Sequence, residues 1–150
     1  MFQGLQHLHS SLRYVVVFLL IVTVINAFLG WSGKKVYTAK DNKLSLFAMI
    51  FCHIQLLVGI GLYFISPIVK VGLSDMGSAM ADAQVRFFTV EHALMMIIAL
   101  TLVTIGRSTS KKQVTDNGKF KRVAIFYGLG LLIIFFMIPW PFLRDFGTWF

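Results

Sequence analysis

Four runs of apolar residues, at 14–31, 44–66, 87–106 and 123–138, divide the chain, and polar residues collect between them. Each run approaches the roughly 20 residues that a helix needs to cross a hydrocarbon core of about 30 Å. None alternates apolar and polar positions as a barrel strand does, and a helix satisfies its own backbone hydrogen bonds in lipid. The pattern predicts an all-α polytopic membrane protein: one domain, a four-transmembrane-helix bundle with helices at roughly 10–31, 44–66, 85–106 and 121–139. The first run is longer than the core of a typical signal peptide, so it reads as a span rather than a cleaved leader. The connection at 67–86, rich in Gly, Ser, Ala and Met, reads as an amphipathic surface segment, a cap over a site between the helices, or an ordinary link.

Composition agrees with this solvent. Of the 150 residues, 57% are hydrophobic and only 13% charged, whereas soluble domains carry about a quarter charged residues. A single cysteine, Cys52, forms no internal bridge, so a disulfide scaffold is excluded. The net charge of +8 is unevenly spread. Lys34, Lys35, Lys40 and Lys43 lie in the first connection, and Arg107, Lys111, Lys112, Lys119, Lys121 and Arg122 in the third, while Arg13, Lys70, Arg86 and Arg144 fall on the other side. The positive-inside rule assigns the two basic connections to the cytoplasm and both termini outside, which for a bacterial inner membrane is the periplasm. That asymmetry accounts for the charge without nucleic acid as a partner; the expected surroundings are the lipid bilayer.

Polar and ionisable groups inside a membrane are costly and mark function by default. The candidates are few: His7, His9, Ser10, Ser11 and Arg13 at the first helix, His53 and Gln55 in the second, Glu91 and His92 in the third. No His, Lys, Arg, Asp or Glu lies between Arg122 and Arg144 in the fourth. All four histidines fall in or beside helices and none in the basic connections, and neutral imidazole is a common axial ligand of haem iron in helical bundles. Gly59, Gly61 and Ala99 offer room for a ring, and Arg13 and Arg86 offer cations for propionates. His53 and His92 are the favoured iron ligands, with His9 as alternative ligand or as a proton or propionate contact. At 1.5 Å per residue, His53 and His92 differ in depth by roughly 9 Å, while His9 lies roughly 20 Å above the midplane unless its helix begins several residues early.

Copper is a weaker candidate, because His7, His9, Met95 and Met96 supply donor types without a specific spacing. A zinc hydrolase lacks the HExxH pattern. Glu91, beside His92 and within reach of Arg13 or Arg86, reads either as a proton relay or as one half of an ion pair, and a path across the bilayer would need Gln55 and Asn26 to continue it. Cys52 points about 100° away from His53 around the helix and reads as a core thiol.

The segments LHSSLRY at 8–14, FCHIQLLVGIGLYFISP at 51–67 and VEHALMM at 90–96, with GRSTSKK opening the third connection, resemble small four-helix membrane proteins of Bacteroidota labelled cytochrome b-like. The resemblance spans nearly the whole chain. It implies b-type haem and electron transfer, with His53 and His92 matching the histidines of the second and third motifs and His9 and Arg13 matching those of the first. The expectation is a haem protein of the inner membrane serving one-electron transfer with a quinone or another partner, without bond-making catalysis. The alternatives are a cofactor-free accessory subunit of a larger membrane complex and a proton-coupled carrier.

Overall fold

The computed structural model describes residues 1–149. Its elements are α1 (Phe2–Ser32), α2 (Ala39–Ile65), α3 (Pro67–Ser74), α4 (Met76–Ala81), α5 (Ala83–Arg86), a π-helical turn (Phe87–Glu91), α6 (His92–Lys111) and α7 (Asp116–Met137). Among the described residues there are four candidate spans, because α5, the π turn and α6 run on as one rod over Ala83–Lys111. The expected all-α four-helix architecture is what the chain adopts, and the protein is a multi-pass membrane protein.

Local sequence fixes the helix starts. The Asp41 carboxylate accepts from the Thr38 backbone N–H at 2.8 Å and from its hydroxyl at 2.7 Å, closing the first turn of α2. Thr115 Oγ1 accepts from Gly118 N–H at 3.1 Å to start α7. Ser66 precedes Pro67, whose missing N–H costs nothing in a first helical turn, and α3 begins there.

In the bundle α1 packs against α2 and α7, and α6 packs against the same two, so α1 and α6 stand diagonally opposed. The shared interior holds small residues: Ala27, Ala48, Ala99 and Ala124, with Cys52 fully buried among them. Close approach is enforced at Gly30, where a Cβ would collide with the Phe120 ring, and at Gly130, where it would lie 3.2 Å from the Ala99 carbonyl oxygen. Small residues serve this purpose in membrane bundles, where packing replaces the hydrophobic drive. The outward faces are apolar instead: Phe18, Leu57 and Phe64 are 64, 68 and 70% exposed. Such side chains meet lipid.

The antiparallel order brings both termini, α3–α5 and the start of α6 to one end, here the terminal end. The connections at 33–38 and 112–115 lie at the other, the basic end. Helix α1 starts at Phe2, eight residues before the expected boundary. At 1.5 Å per residue its 31 residues span about 46 Å, well beyond a hydrocarbon core of about 30 Å. Its first turns therefore stand at or above the membrane surface, and the C-terminal segment folds against the helix at Arg13 and Tyr14.

Candidate functional site

His9 projects from the early turns of α1, and His92 opens α6. Their rings meet across the bundle diagonal, with centroids 6.4 Å apart and planes inclined at 69°. The early start of α1 makes this possible, by carrying a regular helix past His9 at the level where α6 begins. Gln55 of α2 binds the backbone beneath, its Nε2 donating to the His9 carbonyl at 2.9 Å. Gly59, one turn further along α2, leaves room for the ring: a Cβ there would lie 3.2 Å from His9 Cε1.

The π turn sets the direction of His92. A π turn inserts one residue relative to α-helical spacing, which moves every following side chain about 100° around the axis. Its loosened carbonyl at Thr89 is taken up by the Tyr63 hydroxyl, which donates at 2.9 Å. α3 packs tightly on the turn, since a Cβ on Gly72 would collide with Thr89 Oγ1. His92 Nδ1 lies 2.7 Å from the carbonyl oxygen of Met137. A carbonyl only accepts, so Nδ1–H donates and the Nε2 lone pair is left available. The His9 Nδ1 is buried without a hydrogen-bond partner among the described residues.

Aromatic and cationic groups roof the pair. Phe87, fully buried, lies 5.6 Å from the His92 ring, centroid to centroid. The Arg144 guanidinium sits 4.0 Å above the Phe87 ring and Phe146 packs beside it. The chain beyond α7 thus folds back over the site. Arg13 anchors this segment: only 6% exposed, it donates through Nη2 to the Thr148 carbonyl at 3.0 Å and to the Trp149 carbonyl, and it lies over the Trp140 ring. Arg13, expected as a propionate contact, is engaged by the tail. The tail itself was absent from the sequence-derived site. Its signal was the aromatic run around Pro139 and Pro141, which reads as an interfacial belt as readily as a cap.

His53, expected to share one iron with His92, stands elsewhere. Its Nδ1–H donates to Met49 O at 2.8 Å, and its Nε2 lies 3.4 Å from the hydroxyl of Thr104. Thr104 is twelve residues beyond His92, about 18 Å along the same helix. His53 lines a groove of about 240 Å³ with Leu56, Ile97 and Thr101 on the outer side of α2 and α6. The geometry brings His9, not His53, to His92. The reason is depth: the offset between His53 and His92 is larger than the roughly 9 Å expected, since His53 lies beside Thr104, and α1 starts at Phe2, early enough to bring His9 to the level of His92.

Glu91 pairs with Arg86 at 2.8 Å, both groups half-exposed, and not with Arg13. Gln55 serves the His9 carbonyl, and Asn26 donates to Asp41 at 2.8 Å. Asp41 and Gln55 are fourteen residues apart on α2, about 21 Å, so the side chains required for a proton path do not form a chain.

Two imidazoles on opposite sides of one metal ion, with metal–nitrogen bonds of about 2 Å, put their ring centres about 6 Å apart. The observed 6.4 Å fits that arrangement. Among the described residues no group of three or more His, Cys, Asp or Glu side chains is placed to hold a metal ion. A pair of imidazoles suits an ion that brings its other ligands with it, as haem iron does with four porphyrin nitrogens. In comparisons with known protein families, curated proteins and solved structures, the chain matches none.

Proposed function

We propose that the protein is a b-type haem-binding membrane protein of one-electron transfer, in which His9 and His92 would hold the haem iron. The observation that carries this reading is the His9–His92 pair, two imidazoles at bis-ligand spacing on diagonally opposed helices. Bound haem would supply a reversible one-electron store.

The chain's own groups would do the rest. The Met137 carbonyl holds His92 in the Nδ1–H tautomer and raises the basicity of Nε2. Gln55 and Gly59 fix the turn of α1 that carries His9. Phe87, Phe146 and the tail exclude water from the terminal side, which favours low polarity around the metal and tunes its potential. Arg144, adjacent to this roof, adds positive charge that favours the reduced state. The position at the end of the spans gives an electron donor or acceptor, a quinone or a protein at the membrane surface, a short approach. With the basic connections in the cytoplasm by charge asymmetry, that end is the periplasmic face of a bacterial inner membrane.

The test is the dithionite-reduced minus oxidised absorption spectrum of the purified protein from haem-replete cells. A sharp b-type band is expected in wild type and in His53→Ala, and no such band in His9→Ala or His92→Ala. A colourless wild-type protein contradicts the reading and favours the accessory-subunit alternative.

A further inference from the structure

At the basic end, a cavity of about 340 Å³ opens between the start of α2, the end of α6 and the start of α7. Tyr37, Thr38, Asn42, Arg107, Lys111 and Lys119 line it, and none of its lining residues is acidic. Arg107 is only 5% exposed. Its Nη1 donates to Asn42 Oδ1 at 2.7 Å, a neutral partner, and its Nε is buried without a partner among the described residues.

A guanidinium taken out of water without a carboxylate is expensive. The nearby acids are otherwise engaged. Asp41 accepts from Thr38 and Asn26, and Asp116 stands 3.7 Å from Lys119, whose ammonium also lies over the Tyr37 ring. Lys111 is exposed at the rim. The cavity thus gathers a fixed fork of donors and the exposed Lys111 ammonium, with Lys119 shared with Asp116, around a space whose lining residues carry no negative charge. This donor set matches a phosphate group, which offers several acceptor oxygens to one guanidinium. The position matters equally: the cavity sits where the spans end, at the level of lipid headgroups, and basic pockets between transmembrane helices recognise anionic headgroups.

We propose that this cavity binds a phosphate group, supplied by an anionic phospholipid headgroup or by free phosphate, with Arg107 as the central contact and Lys111 as the rim contact. The site is independent of the histidine pair at the opposite end.

The experiment is thermal unfolding of the full chain in neutral detergent, titrated separately with phosphatidylglycerol, phosphatidylcholine and inorganic phosphate at constant ionic strength. Stabilisation by phosphatidylglycerol but not by phosphatidylcholine or inorganic phosphate assigns the site to a headgroup. Stabilisation by inorganic phosphate at comparable concentration assigns it to the free ion. In either case Arg107→Gln weakens the apparent affinity at least about tenfold, and Lys111→Gln weakens it about fivefold. Lys111 is exposed, so its variant keeps the test valid if Arg107→Gln does not fold. No stabilisation by any of the three, or equal stabilisation of wild type and Lys111→Gln, overturns the proposal.

Discussion

Below the cavity at the basic end, the interior of the bundle is closed by direct protein contacts. Tyr127 reaches across from α7 to donate to the Ser45 carbonyl on α2 at 2.7 Å, and Phe120 fills the notch left by Gly30. At the terminal end the same diagonal space is occupied by two imidazoles, one with an unpartnered nitrogen, under a roof made by a segment outside the four spans. The difference teaches that one bundle can fill one stretch of its interior with packed side chains and line another with groups that can coordinate.

That division makes the ends separable. The largest effect on stability is expected from Gly30→Val, which drives a side chain into Phe120 and costs about 1–3 kcal/mol. It should lower the unfolding temperature while leaving the absorption of any bound haem unchanged; a shifted spectrum would show that the ends are coupled. Arg13→Gln acts at the other end. Losing the charge-assisted bonds to the Thr148 and Trp149 carbonyls releases the tail and leaves the packed interior intact. Amide exchange over residues 139–149 should rise at least about tenfold, with α2 and α7 near Tyr127 unaffected.

Tyr127→Phe removes one buried hydrogen bond and is expected to cost about 1 kcal/mol, read by chemical denaturation. The smallest effect belongs to Asp75, outside the spans. Its carboxylate accepts from the Ser78 hydroxyl and backbone, which holds its pKa below the usual carboxylate value. A lowered folded pKa means that the cap is fully present above the ordinary Asp range and is lost as pH falls through the folded value. The Ser78 amide resonance should report that loss on acidification, and Asp75→Asn should abolish its pH dependence.

Most of the fold was readable because spans are written in long runs of one kind of residue. The four helices, the short basic connections and the core position of Cys52 all follow from hydropathy and spacing. The site was legible in its parts and not in its pairing. His9, His92, Arg13 and Glu91 stood out as costly groups near one surface, but pairing them needed the helix starts, which hydropathy locates poorly where the helix leaves the membrane. Polar residues such as Gln3, Gln6 and His7 continue α1 in water without any apolar signal. The π turn before His92 also leaves no pattern in single-sequence periodicity, since one extra residue changes the face and not the composition. The tail over the site depends on contacts at a sequence separation of 135 and 136 residues between Arg13 and the last carbonyls, which no local rule reaches.

The central claim is that His9 and His92, and not His53, share one metal. Low-temperature electron paramagnetic resonance of the oxidised, haem-loaded protein tests it, because two axial imidazoles hold ferric haem in a low-spin state. A low-spin signal in wild type and His53→Ala, replaced by a high-spin signal or lost in both His9→Ala and His92→Ala, is the predicted result. A low-spin signal that survives His9→Ala and disappears in His53→Ala would contradict the account.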